Sequence, residues 1–168
     1  MHHREIYRQL RRDLSMTLQS FAPPSGPRDA DKTAASEEVV AGPKPLARIL
    51  VVEDEWLVAC DIEAALEAEG LEVVGIASSA DEAVGMAEVH GPDLVLMDIR
   101  IRGRRDGIDA ALEISRRFGL RCLFVSANHD PGMRERAQAA RPLGWVPKPF
   151  SAPQLVSAVG NALQSLRS

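Results

Sequence analysis

Pro92-Asp93-Leu94-Val95-Leu96-Met97-Asp98 decides the reading of this chain, because four apolar residues in succession run straight into a carboxylate. A short apolar run without alternation is the pattern of a strand buried on both faces, as in a parallel sheet. Asp98 then stands where that strand emerges. An earlier run follows the same pattern: Ile49-Leu50-Val51-Val52 is followed at once by Glu53-Asp54-Glu55. Two later runs end in other chemistry, Ser126 after Leu120-Arg121-Cys122-Leu123-Phe124-Val125, and Lys148 after Leu143-Gly144-Trp145-Val146-Pro147. In an open parallel sheet, ligands collect outside the carboxyl ends of the strands, so the four ends are expected to share one crevice. Carboxylates gathered there repel one another unless a hard cation lies among them, and oxygen donors favour magnesium or calcium. Two acidic strand ends, a hydroxyl and a lysine around one point suit phosphoryl transfer.

Between and beyond these runs the pattern alternates strand and helix five times from Ala47 onward. Trp56 to Glu69 reads as a helix with Leu57, Ile62, Ala65 and Leu66 inward and Gly70 as its stop. Leu71 to Ala77 is a second strand. Ser79 to His90 is a second helix, with Ser78 or Ser79 as its cap and Glu82 placed to close a capping box. Gly91-Pro92 ends that helix. Further helices are expected over Gly107 to Phe118, Pro131 to Ala140 and Ser151 to Leu166. Five βα units with right-handed crossovers make an α/β fold, a doubly wound five-stranded parallel sheet.

Ahead of it, Ile6, Leu10, Leu14 and Leu18 recur every four residues with Arg4, Arg8, Arg11 and Arg12 outside that stripe, which predicts an amphipathic N-terminal helix over 1–21. Residues 22–45 are rich in proline and glycine and read as a flexible linker, leaving 46–168 as the folded domain. The N-terminal helix has three candidate roles: docking on its own domain, pairing with a second copy in a homodimer, or binding another protein.

Bulk properties narrow the function. The chain has 168 residues, is 45% hydrophobic and carries a formal charge of −4, so no overall basic field invites nucleic acid. No window reaches the roughly 20 apolar residues needed to span a bilayer, and the N-terminus lacks the apolar core of a signal peptide, so no membrane role and a cytoplasmic location are expected. Cys60 and Cys122 have no metal-ligand spacing and read as small buried hydrophobes. The four histidines, His2, His3, His90 and His129, show no ligand pattern.

Glu53-Asp54, Asp98, Ser126 and Lys148-Pro149 at successive strand ends resemble the receiver domain of two-component response regulators, which has the flavodoxin-like fold, over about Leu46 to Ser168. Val52-Glu53-Asp54-Glu55, Asp106-Gly107-Ile108-Asp109-Ala110-Ala111 and Pro147-Lys148-Pro149-Phe150 are similar to stand-alone alphaproteobacterial receivers that partner sensor histidine kinases of the HWE/HisKA2 type. The resemblance implies that Asp98 is the phosphoacceptor, charged by a sensor histidine kinase or a histidine phosphotransfer protein. It implies Mg2+ held by Asp54, Asp98 and the backbone carbonyl of Arg100, with Glu53 orienting waters. Lys148 and Ser126 would contact phosphoryl oxygens, and Lys148-Pro149 would be the cis peptide bond of the family. Trp145 falls at the switch-aromatic position, usually Tyr or Phe, and Arg100 and Asn128 fall where the lifetime of the acyl phosphate is tuned.

Plainer readings stand beside these. Asp54 and Ser126 also suit helix caps, Trp145 suits a core or interface aromatic, and the run from Arg100 to Arg105, four arginines within six residues, suits a solvated loop. The expected function is that of a single-domain response regulator signalling by protein contact. Alternatives are a phosphate sink, a pseudo-receiver scaffold that is never phosphorylated, and an aspartyl-nucleophile phosphatase. The last wants an aspartate at position 100, where this chain has arginine, so turnover catalysis is not expected.

Overall fold

The computed structural model describes residues 45–127 and 130–167. The expected helix over 1–21, the linker except its last residue, and Asn128 and His129 lie outside them. Five strands form one sheet: β1 Arg48–Val52, β2 Glu72–Ala77, β3 Leu94–Met97, β4 Cys122–Ser126 and β5 Gly144–Pro147. They alternate with α1 Trp56–Ala68, α2 Ala80–His90, α3 Gly107–Phe118, α4 Pro131–Ala137, tightened into a 3-10 turn over Gln138–Ala140, and α5 Ala152–Arg167. All pairings are parallel, in the order β2-β1-β3-β4-β5. The order reverses between β1 and β3, and a crevice opens at such a switch point.

Alternation within each strand builds two cores. Leu50, Val52, Val95, Met97 and Phe124 face α2 and α3, which present Ala83, Val84, Ala87, Ile108 and Ile114. Ile49, Val51, Leu96, Leu123 and Val146 face α1 and α5, which present Ala59, Ile62, Leu66, Leu155 and Val159. Every residue of β3 and β4 is buried, as the unbroken apolar runs imply.

The helices fall close to where the sequence places them, with two corrections to side-chain placement. Leu57 is 78% exposed instead of inward. The buried face of α1 is Ala59, Ile62 and Leu66. Leu57 precedes Leu66 by nine residues, which at about 100° per residue puts it on the opposite side of the helix. Cys60 lies on the flank of that face and is only half-buried, whereas Cys122 is fully buried. The α2 cap also differs in detail. The Ser79 hydroxyl accepts from the Glu82 N–H, but the Glu82 carboxylate reaches past it to accept from the N–H and hydroxyl of Ser78. At α3 a capping box does close, with Asp106 accepting from Asp109 N–H at 3.0 Å and Asp109 from Asp106 N–H at 3.2 Å. Among the described residues, no helix is long and apolar enough to cross a membrane.

Candidate functional site

The sheet carries each site residue to its place through backbone bonds just beyond the strand ends. Glu53 N–H donates to Ala77 O at 2.9 Å, Asp98 N–H to Val52 O at 2.9 Å, and Lys148 N–H to Ser126 O at 3.1 Å. The β1 end is thereby tied to the ends of β2 and β3, and the β5 end to that of β4, while β3 and β4 pair further back, through Met97 and Phe124. Glu53, Asp54 and Asp98 offer carboxylate oxygens that all lie within 4.8 Å of one another, a set that could hold a metal ion. The donors are hard oxygens only, which suits magnesium, calcium or manganese over soft-ligand metals.

Burial makes this cluster costly without cations. Glu53 is 1% and Asp98 6% exposed. The Lys148 ammonium answers that charge, bonding Glu53 Oε2 at 2.5 Å and Asp98 Oδ2 at 2.6 Å. The other Asp98 oxygen, Oδ1, accepts from Arg100 N–H at 3.1 Å, so both oxygens of this carboxylate are oriented. Burial pushes the Glu53 carboxyl above the ordinary range, with the Asp98 charge adding to the effect and Lys148 only partly offsetting it. For Lys148, burial favours the neutral amine, but its hydrogen bonds to Asp98 and Glu53 win and hold it above the usual lysine range. The ammonium is therefore charged throughout the physiological range.

Ser126 ends β4 and is 1% exposed, in register with Pro147. Lys148-Pro149 is a cis peptide bond, as expected. Trp145 is half-buried on β5, stacked on Phe124 with ring centroids 4.6 Å apart, and covered on its other side by the Arg134 guanidinium of α4 at 5.1 Å. That contact makes it a packing residue between sheet and helix in this conformation. Beside Lys148 a groove of about 740 Å³ opens between α1 and the turn after β5, lined by Glu55, Val58, Asp61, Pro149 and Phe150 among others.

Three features had no distinct signal in the sequence. Arg102 Nε approaches Asp54 Oδ2 at 3.8 Å. Arg136 of α4 bonds both members of the α3 capping box, Asp106 and Asp109. Gly107 packs so closely under Asp98 that a Cβ there would lie 1.9 Å from the Asp98 carbonyl oxygen. The arginine-rich loop was visible in the sequence; which carboxylate each arginine would meet was not.

Residues 49–160 match the family model of the response regulator receiver domain. The chain is 41% identical over 120 residues to the transcriptional regulatory protein PdtaR of Mycobacterium tuberculosis H37Rv, covering 71% of this chain and 58% of that one. It is 33% identical over 116 residues to the phyllosphere-induced regulator PhyR of Methylorubrum extorquens, covering 68% and 43%. The solved signal receiver domain of a modulated diguanylate cyclase from Desulfovibrio desulfuricans G20 superposes with a TM-score of 0.68 at 30% identity, over 73% of this chain and 97% of that one. The chain spans about half the length of the curated relatives it matches.

Proposed function

The chain belongs to the response regulator receiver family, and on that premise we propose that it is a stand-alone regulator phosphorylated on Asp98 by a sensor histidine kinase or a histidine phosphotransfer protein, with Mg2+ bound. The observation that carries this reading is the Lys148 ammonium held between Glu53 and Asp98, within the cluster that also contains Asp54. A buried acceptor carboxylate needs a cation to receive a dianionic group, and this one has it in place.

In the proposed step a carboxylate oxygen of Asp98 forms a bond to phosphorus as the phosphorus–nitrogen bond of a donor phosphohistidine breaks, and the donor leaves with its imidazole. The Arg100 N–H orients the attacking carboxylate through Oδ1. Lys148 exchanges its Asp98 contact for a phosphoryl oxygen, and the Ser126 hydroxyl takes another. Asp54, Asp98 and the Arg100 carbonyl are the proposed metal ligands, with Glu53 orienting waters. Magnesium, when bound, neutralises phosphoryl charge and helps align the donor phosphate. The groove between α1 and the turn after β5, lined in part by Lys148, is where the donor protein would approach. Output by contact with another protein, or by forming a homodimer, completes the proposal. The acidic net charge supports a role without nucleic acid.

The test is intact mass after treatment with acetyl phosphate and magnesium, on wild type and Asp98→Ala, with light scattering alongside. Wild type alone should gain the mass of one phosphoryl group. Absence of that gain, or its persistence in Asp98→Ala, removes the proposal.

A further inference from the structure

Lys148 pairs with two of the three clustered carboxylates, Glu53 and Asp98. The third, Asp54, is the most exposed of them, with 28% of its side chain open against 1% for Glu53 and 8% for Asp98. A different cation stands there, the Arg102 guanidinium, with Nε 3.8 Å from Asp54 Oδ2.

The backbone places this arginine, not chance extension of a long side chain. Arg102 N–H donates to Ser78 O at 3.1 Å, and Arg102 forms a parallel bridge with Ser79, which docks the loop after β3 onto the loop after β2. Gly103 follows with a φ of 110°, a left-handed value that suits glycine. The rest of the loop is committed elsewhere or free of such a role. Arg105 bonds Asp81 and Glu113, and Arg100 and Arg104, both exposed, join no ion pair among the described residues.

We propose that Arg102 competes with the divalent cation for Asp54 and so sets the affinity of the acidic cluster for metal. A divalent cation entering among the three carboxylates meets the exposed Arg102 guanidinium at the one most open to solvent. It must share Asp54 with that guanidinium or displace it. Both routes weaken metal binding relative to a cluster without the arginine. Arg102 thereby makes phosphorylation depend on how much metal is available, in a chain whose other cation at the site, Lys148, is needed for the chemistry itself. The inference rests on the reading of this cluster as the metal site of the phosphoacceptor.

The experiment is calorimetric titration of chelator-treated full-length protein with magnesium alone, at fixed ionic strength, on wild type, Arg102→Gln, Arg102→Lys and Arg104→Gln. Arg102→Gln should bind magnesium about two- to fivefold more tightly than wild type, the size carried by an exposed ion pair. Arg102→Lys, which keeps the charge, should stay nearer wild type. Arg104→Gln removes the same charge from the same loop without touching Asp54, and should give less than half that change in log affinity. If Arg102→Gln shows no gain while wild type binds, or if Arg104→Gln matches it, the proposal falls and the phosphoacceptor reading stands. If neither wild type nor Arg102→Gln takes up magnesium, both fall together.

Discussion

Replacing Gly107 by alanine sets local preference against packing, and the structure says which wins. In an ordinary helix the substitution stabilises, because glycine loses more backbone freedom on folding and alanine is the better helix former, by up to about 1 kcal/mol. At Gly107, however, the new Cβ would lie 1.9 Å from the Asp98 carbonyl oxygen, 2.8 Å from its carbonyl carbon and 3.0 Å from Ile99 Cα. Real Cβ atoms essentially never come closer than 3.0 Å, so α3 and the Asp98–Ile99 backbone must separate by roughly 1 Å. The obstacle is backbone in a filled core and has no rotamer to change. Forcing it apart costs about 1–3 kcal/mol, and stretching the Gly107 N–H bond to Ile99 O, 2.9 Å long, costs about 1 kcal/mol more. Against the propensity gain, Gly107→Ala should lose about 1–3 kcal/mol overall. Gly85 and Gly160 are the controls, both exposed within helices, with nothing inside 4 Å of an added Cβ. Gly85→Ala and Gly160→Ala should each gain about 0.5–1 kcal/mol. Urea unfolding of the three variants beside wild type reads all of this, and phosphorylation of Gly107→Ala by acetyl phosphate should slow because Asp98 has moved. A Gly107→Ala protein as stable as the two controls, or one that accepts phosphate at the wild-type rate, would refute the steric reasoning.

Lys148→Met leaves Glu53 and Asp98 buried without their cation, so it should cost about 3 kcal/mol in chelator at pH 7 by thermal or urea unfolding, and less when magnesium is added. Thiol labelling at pH 8 should modify Cys60 in the folded protein and reach Cys122 only on unfolding, since burial pushes the Cys122 thiol from 9.0 up to about 12. Because that folded value is raised, the stability linked to the Cys122 proton is fully present below pH 9.0 and is lost as pH climbs toward 12. The alkaline fall in stability should therefore be shallower in Cys122→Ala, even though its stability at pH 7 is lower; equal slopes would count against the assignment. Asp106→Ala removes the α3 N-cap and half of its capping box, and should lower stability by about 1 kcal/mol. Arg136→Ala, which loses only exposed pairs to Asp106 and Asp109, should cost less than that and lose its effect in high salt.

The alternation of strands and helices, the acids closing β1 and β3, and the serine and lysine closing β4 and β5 were all readable from local order. Apolar period and the residue that ends a run are properties of neighbouring positions, and a buried parallel strand has few other ways to be written. The α2 cap was legible for the same reason, although Glu82 chose Ser78 over Ser79 because both lie within reach of one flexible carboxylate, whereas the Asp106 and Asp130 caps of α3 and α4 were not singled out. Leu57 shows the limit on a helix. Apolar residues outnumber the positions of one face on α1, and only packing against β1 and α5 selects Ala59, Ile62 and Leu66.

What the sequence by itself determined, then, is the kind of fold and the chemical types at its crevice. Which groups meet there was left to the tertiary structure. Lys148 is 95 residues from Glu53 and 50 from Asp98, yet bonds both. Arg102 falls on Asp54 because a bridge between two loops puts it there. Gly107 must be glycine because α3 starts against the Asp98 carbonyl. Distances between segments remote in the chain are set by how the helices pack on the sheet, and single-sequence periodicity carries no record of them.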